Sequence, residues 1–288
     1  MKVLVIGASG MLGYSLFSNL LENKELSVFG TVRANQPCEH FQGCEANIFT
    51  GVDVDDFSTI EHVVETLKPQ FVLNCVGLIK QNDIAKNHVA AISINALLPH
   101  KLATLCDKVS AKLIHFSTDC VFTGKQGMYT EESVPDSFDL YGLSKKLGEV
   151  EYGNHLTLRT SIIGHELSSN LSLIDWFLSQ EGQVKGFTKA IFSGLPTCYI
   201  ARVLSEKIFN SDVKGLYHLS VDPIDKYTLL KLVSNSYKKD IVINPDCTLH
   251  IDRSLDSTKL RSEIDFTPPS WEELVDYMHA DFVKRYKK

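Results

Sequence analysis

Tyr141 and Lys145 stand four residues apart in the run Tyr141-Gly142-Leu143-Ser144-Lys145. On a helix that spacing puts both side chains on one face. A phenol with an ordinary pKa of about 10 is a poor proton relay near neutrality, and a neighbouring ammonium lowers that value by favouring the phenolate. Such a pair can give a proton to the oxygen of a carbonyl whose carbon is receiving a hydride. Upstream, Ser117-Thr118-Asp119 adds hydroxyls able to orient that oxygen. A third group, Gly7-Ala8-Ser9-Gly10-Met11-Leu12-Gly13, has GxxGxxG spacing rather than GxGxxG. Its small residues permit a tight turn and the approach of backbone N–H groups to a phosphate at the positive end of a helix. The Tyr-x-x-x-Lys spacing recurs at Tyr227 and Lys231. There, Leu229, Leu230 and Leu232 mark an ordinary packing helix without a Ser/Thr partner, so Tyr227 is read as a decoy.

These groups need elements to hold them. Lys2 to Ile6 is a short β-branched run of the kind that forms a buried parallel strand, and it leads directly into the glycines. Met11, Leu12, Leu16, Phe17, Leu20 and Leu21 follow at helical spacing. Leu26 to Val32, Ala46 to Val52, Phe71 to Asn74, Lys112 to Ser117 and Leu156 to Thr160 read as further strands. Asp56 to Leu67, Val89 to Val109 and Tyr141 to Tyr152 read as helices, the first stopped by Lys68-Pro69. This alternation implies an α/β fold: a doubly wound parallel sheet of Rossmann type, with helices on both faces. Past residue 165 the pattern breaks into short pieces with Pro196, Pro223, Pro245, Pro268 and Pro269. The expected division is therefore 1–164 for a dinucleotide-binding domain and 165–288 for a smaller C-terminal substrate-binding lobe, with some segments returning to the sheet.

The net charge of -6 gives no basic footprint for nucleic acid. Seven cysteines, at 38, 44, 75, 106, 120, 198 and 247, include no CxxC pair, which suits a reduced cytoplasmic protein without a metal site. Val3 to Gly13 behind Lys2 has the length of a signal-peptide core, but the glycines are better explained by the turn. No stretch reads as long and apolar enough to span a bilayer, so no membrane partner is expected. His115 and His218 fall in apolar strands as core histidines. Trp176 and Phe177 read as lobe core or lid, Trp271 as the seat of the C-terminal helix, and Lys284 to Lys288 as a solvated tail.

The end of the second strand bears on the cofactor. A ribose 2′-hydroxyl would want a carboxylate there and a 2′-phosphate an arginine. The chain offers Thr31-Val32-Arg33-Ala34-Asn35, so Arg33 favours NADPH, with NADH the alternative. Asp53, after the third strand, is placed either to meet the adenine end or to cap a turn. Asn95, on the long helix, could hold a water connecting Lys145 to solvent or only bend or cap that helix.

These motifs resemble the extended short-chain dehydrogenase/reductase superfamily and, within it, the dTDP-4-dehydrorhamnose reductase family. The resemblance covers most of the chain. It rests on Ser117-Thr118-Asp119-Cys120-Val121-Phe122, on Tyr141 to Lys145 with Gly148-Glu149, and on Leu158-Arg159-Thr160-Ser161. It also takes in Gly194-Leu195-Pro196-Thr197 and Arg253-Ser254-Leu255-Asp256. It implies reduction of the 4-keto group of a nucleotide-activated 6-deoxyhexose, in precursor synthesis for surface polysaccharides. Carried over, Tyr141 is the proton donor, Lys145 tunes it and binds the nicotinamide ribose, and Thr118 orients the ketone. Gly7, Gly10 to Gly13, Asp53-Val54 and Cys75-Val76-Gly77 would line the cofactor together with Tyr141 and Lys145. Thr118, Asp119, Tyr141, Ile162 and Arg253 would meet the substrate. Many relatives dimerise, which implies a homodimer here.

Several positions depart from the family pattern. Cys120 replaces the aromatic of Asp-Tyr-Val-Phe, and Ile162 replaces a tryptophan that packs on the sugar. Cys75-Val76-Gly77-Leu78-Ile79-Lys80-Gln81 replaces an alanine-rich run, and Asp252 precedes Arg253 where the late motif lacks its proline. These departures cluster where the substrate would bind, so a UDP-linked 4-keto-6-deoxy-N-acetylhexosamine is a variant substrate. Two other functions fit the fold: a nucleotide-sugar epimerase, and a non-catalytic reductase-like regulatory subunit.

Overall fold

The computed structural model describes residues 1–36, 39–78 and 87–287. Cys38 and the Ile79-Lys80-Gln81 departure lie outside the described residues, as does Lys288. The chain forms two compact units, each assembled from separated segments. The first comprises Met1–Ser117, Asp139–Leu158 and Asp212–Leu216. The second comprises Thr118–Phe138, Arg159–Ser211 and Tyr217–Lys288.

The first unit is built on a sheet whose strands come in the order β11 (Gly215–His218), β6 (Leu156–Thr160), β5 (Lys112–Thr118), β4 (Phe71–Asn74), β1 (Lys2–Ile6), β2 (Ser27–Thr31), β3 (Ile48–Phe49). The pairings from β5 through to β3 are all parallel. The chain leaves β1 to one side through β2 and β3, then returns to its other side at β4. The expected doubly wound sheet is thus present, with its switch point between β1 and β4, where such folds bind ligands beyond the strand carboxyl ends. β3 is shorter than expected. It pairs β2 only through Gly30–Ile48 and Thr31–Phe49, a three-residue turn occupies Glu45–Asn47, and Val52 packs in the core without joining the ladder.

One face of the sheet (Leu4, Ile6, Val72, Leu113) packs against α2 (Phe57–Leu67) through Ile60, Val63, Val64 and Leu67. The same core takes in Leu98, Leu102, Ala103, Leu105 and Cys106 of α4 (Leu98–Lys108). Each such buried aliphatic side chain contributes about 1.5–3 kcal/mol. Asp56 caps α2 by accepting from Ser58 N, and Lys68 ends it at φ 48 before Pro69. The long helix runs as α3 (His88–Ala91), a π-helical stretch Ile92–Leu97, and α4. By length and composition His88–Lys108 is apolar enough to cross a membrane, contrary to the expectation from sequence. Half of its most apolar window is buried inside the protein.

The second unit holds three small sheets. β7 (Ile162–Ile163) pairs with β10 (Leu195–Pro196), and β8 (Gln183–Phe187) with β13 (Val242–Asp246). β9 (Ala190–Phe192) lies between β12 (Ile224–Asp225) and β14 (Ile251–Asp252). Around them lie α6 (Leu173–Ser179), α7 (Thr197–Val203), α8 (Lys226–Tyr237), α9 (Thr258–Glu263) and α10 (Trp271–Arg285). Ser270 and Glu273 form a reciprocal capping box on α10. Trp271 seats that helix by donating to Asp222 O at 2.7 Å and packing on Phe192. Phe177 is core, whereas Trp176 is partly exposed. The expected solvated tail is in part ordered helix: Arg285 pairs with Asp281 at 2.7 Å and both side chains are largely buried. Tyr227 lies against Gly186 of β8, with the Lys231 ammonium 5.4 Å from its ring centre, which is a packing arrangement.

Candidate functional site in the two units

At the carboxyl end of β1 the chain turns through Gly7, whose φ of +83° suits a residue without a Cβ. Gly7 N and Ala8 N donate to Thr31 Oγ1 and Thr31 O, tying the turn to β2. A Cβ on Gly13 would stand 2.0 Å from Gly7 O, so α1 (Met11–Leu20) can sit against the turn only with glycine there. Gly10 differs: a Cβ on it would meet only Gly7 O, at 3.6 Å. Gly10 caps α1 without any side-chain hydrogen bond, and the first turn holds no acid. Gly10 N already donates to Gly7 O at 3.1 Å, so the backbone N–H groups of Met11 and Leu12 head a helix whose positive end suits a phosphate.

Next to this turn, the Gly7 position lies against Val76, since a Cβ there would stand 2.7 Å from Val76 Cγ2. Cys75 N donates to Ile6 O, and burial pushes the Cys75 thiol far above its ordinary range. Leu78 is pinned by Asn95, whose Oδ1 accepts from Leu78 N at 2.9 Å while its Nδ2 donates to Leu78 O and to Ser144 Oγ at 3.2 Å. The Asn95 side chain is therefore committed to protein partners. It sits in the π-helical stretch, and a Cβ on Gly148 would come within 2.0 Å of Asn95 O. The sequence periodicity carries no sign of this extra-wide turn.

Arg33 is exposed just beyond β2. Asp53 forms a turn: its Oδ1 accepts from Asp55 N, and its backbone exchanges hydrogen bonds with Thr59 Oγ1. Val54 packs on the core beneath it. The capping role anticipated for Asp53 is thus occupied on one carboxylate oxygen.

α5 (Leu140–Leu147) begins at Asp139, which accepts from Gly142 N at 2.8 Å, so Tyr141 lies in its first turn. Lys145, one turn on, is buried and donates to Phe116 O of β5 at 2.7 Å. Burial lowers its pKa to about 8, and Glu149 works in the opposite direction. A Cβ on Gly77 would stand 3.9 Å from Lys145 Nζ, which brings the post-β4 segment, Asn95 and Lys145 into one neighbourhood. Beneath it, His115 Nδ1 lies 3.1 Å from Asn74 Nδ2, while His115 Nε2 is buried with no hydrogen-bond partner among the described residues. His115 is held neutral, far below its ordinary range, by burial and then by the charge of Lys145. The expected core histidine is thus present but only half satisfied.

The second unit gathers the remaining candidates. Thr118 Oγ1 donates to Asp119 Oδ1 and accepts from Cys120 N, both at 3.1 Å, capping the single turn Asp119–Val121. Burial raises the Asp119 pKa, opposed by Arg253 and by hydrogen bonds from Cys120, Thr118 and Ser161. Arg253 Nε donates to Phe122 O at 2.9 Å, and its Nη1 reaches Cys120 Sγ at 3.5 Å. Burial pushes the Cys120 thiol up to about 12. Ile162, half-buried in β7, follows Ser161 directly. His218 is a satisfied core histidine: its Nδ1 lies within reach of Tyr129 O and Asp256 O. Motif and spacing assign no role to Ser144, to the Ser117–Glu149 contact at 2.8 Å, or to Ser161.

The sequence matches the protein family described as the RmlD substrate binding domain over residues 1–283. Among curated proteins it is similar to methionine adenosyltransferase 2 subunit beta of Bos taurus. That match is 29% identical over 149 residues, 51% of this chain and 41% of that protein, so it spans less than half the relative's length. It is also similar to dTDP-4-dehydrorhamnose reductase of Aggregatibacter actinomycetemcomitans, 22% identical over 305 residues, covering 97% of this chain and 98% of that one. Among solved structures it shares its fold with dTDP-4-dehydrorhamnose reductase from Bacillus anthracis in complex with NADP. There the TM-score is 0.80 at 21% identity, over 97% of this chain and 99% of that one.

Proposed function

The chain belongs to the RmlD substrate binding domain family, and from that premise we propose that it is an NADPH-dependent reductase of the 4-keto group of a nucleotide-activated 6-deoxyhexose. The observation that carries this reading is Lys145, a buried ammonium at the end of β5, one helical turn from Tyr141 and close to the segment after β4. The uncapped end of α1 suits a dinucleotide pyrophosphate, with donors at Met11 and Leu12 and with Gly10 leaving the approach clear of a side chain. Arg33 would meet a 2′-phosphate, and Asp53-Val54 and Cys75 to Gly77 would line the cofactor. The Bacillus anthracis relative, which was crystallised with NADP, supports that choice of cofactor.

Bound NADPH supplies a hydride to the carbonyl carbon. Tyr141 Oη gives its proton to the carbonyl oxygen, and Lys145 stabilises the phenolate left behind while holding the ribose. Thr118 orients the ketone. Its hydroxyl proton rests on Asp119 Oδ1 here, and orienting the ketone takes rotation of that hydroxyl to donate to the carbonyl oxygen. Arg253, anchored to Phe122 O, would take the diphosphate, and Ile162 would pack on the sugar. The dTDP-linked and UDP-linked N-acetyl substrates both fit this reading. Domain roles follow: the segment 1–164 would bind the cofactor and present Thr118, Asp119, Tyr141 and Ile162 to the substrate, and 165–288 would add Arg253. The six described cysteines are all free thiols, in keeping with a cytoplasmic setting.

The test is NADPH oxidation by purified protein offered dTDP-4-keto-6-deoxyhexose and UDP-4-keto-6-deoxy-N-acetylhexosamine in parallel, with Tyr141→Phe as control. Turnover of one sugar, lost in Y141F, supports the proposal. Sugar isomerisation without net NADPH loss moves the assignment to an epimerase. The similarity to methionine adenosyltransferase 2 subunit beta favours one further reading, a non-catalytic partner of another enzyme. NADPH binding without turnover of either sugar would favour it.

A further inference from the structure

Lys145 and Glu149 dock on consecutive residues of β5. Lys145 Nζ donates to Phe116 O at 2.7 Å, and Ser117 Oγ donates to Glu149 Oε1 at 2.8 Å. The Glu149 side chain is fully buried, and its second oxygen pairs with Lys146 Nζ at 2.9 Å. Lys146 reaches Glu151 as well, at 2.9 Å. Gly148 makes this possible: it ends α5 and lets the chain pass against Asn95 O, where any side chain would collide. A carboxylate this deep has a desolvation cost, and surface solubility offers no reason for it. The proton relay reading gives it no role.

We propose that Glu149 is a positioning residue for the relay, fixing the Lys145 ammonium at the end of β5 and keeping it cationic under working conditions. This rests on the proposed reductase reading for its catalytic consequence, but not for its electrostatics. A buried ammonium loses its charge readily, and a fixed carboxylate nearby opposes that loss. Lys145 sits at about 8, with burial lowering it and Glu149 opposing that fall. The other groups around it do not substitute. His115 on β5 is neutral, held there by burial and by Lys145 and His100. Lys146 on α5 competes for the Glu149 charge, and it is itself shared with Glu151. Ser117 holds the carboxylate in place without adding charge.

The experiment titrates the Lys145 side chain in the full-length protein without substrate. The ¹³Cε signal of labelled lysine is assigned by its absence in K145R and followed against pH. Glu149→Gln, which keeps the shape, should move the Lys145 midpoint toward acid by about one pH unit. Lys146→Met, at a partly exposed residue, should move it toward alkali by releasing the carboxylate from competition. With keto-sugar turnover in hand, the alkaline limb of kcat should shift in the same two directions. Unchanged Lys145 midpoints in both variants would overturn the proposal. If E149Q does not fold, Glu149→Asp decides: it keeps the charge but withdraws it by one methylene, so the Lys145 midpoint should still move toward acid, and an unchanged midpoint overturns the proposal. If no keto sugar is turned over, the Lys145 midpoints are still measured, so failure of the reductase reading is seen separately.

Discussion

Two glycines of the same turn should fail in opposite ways when replaced by alanine. At Gly10, φ is −79°, which alanine adopts freely, and the new methyl meets only Gly7 O at 3.6 Å. About 0.5–1 kcal/mol lost at the N-cap is offset by about 0.4–1 kcal/mol from a stiffer unfolded chain. The melting temperature of G10A without cofactor should therefore match the parent. In the proposed cofactor site the methyl would stand in the open space beside the first α1 N–H groups, where a pyrophosphate would approach them. A hydrogen bond to a charged acceptor is worth about 1.5–3 kcal/mol. Losing one should weaken NADPH by about 30-fold, near 2 kcal/mol. At Gly13 the methyl would stand 2.0 Å from Gly7 O, so α1 must shift. Overpacking of this kind costs about 1–3 kcal/mol, and G13A should melt lower even without cofactor. Differential scanning calorimetry and isothermal titration with NADPH read both effects. The reasoning is refuted if G10A binds NADPH as tightly as the parent, or if G13A alone melts at the parent's temperature.

Further outcomes follow from the same geometry. Lys145 sits at about 8 against an ordinary 10.5 because it is buried. The unfolded chain therefore holds more protons between those values, and stability gained from this group rises with pH across that window. At pH 7 the cost is present in full, about 3 kcal/mol. K145M should melt higher than the parent at pH 7 while losing turnover, and its advantage should shrink above about pH 8. Thermal scans at pH 7 and pH 9.5 check the sign. R253M removes a cation from beside Asp119. It should raise KM for the nucleotide sugar by about 10-fold or more, corresponding to roughly 1.4 kcal/mol, and leave NADPH affinity unchanged by fluorescence titration.

Much of the scaffold is legible in local signals. β1 and β4 fall where short apolar runs meet glycine or follow Lys68-Pro69, because a strand buried on both faces leaves a nearly unbroken hydrophobic trace. The apolar pattern overextends β3 because Val52 is apolar for packing rather than for pairing. The helix at Tyr141, whose pattern runs on to Tyr152, stops at Leu147, where Gly148 must clear Asn95. The π-helical stretch at Ile92–Leu97 leaves no trace, since one inserted residue scarcely disturbs an apolar helical pattern. Motif and spacing pick out the candidate site residues, and several of them meet within each unit. What connects them is not legible: Ser117 and Glu149 lie 32 residues apart, Asn95 and Ser144 49 apart, and only the fold joins such pairs.

In the proposed reaction Tyr141 and Lys145 complete a hydride transfer to a sugar ketone. The most direct test supplies NADPH deuterated at the transferable nicotinamide position with each keto sugar and examines the product by NMR and mass spectrometry. The product alcohol should carry one deuterium on C4 per NADPH consumed, and Y141F should give none. A sugar recovered with C4 still a ketone, or a new alcohol whose C4 hydrogen does not come from the cofactor, would contradict it.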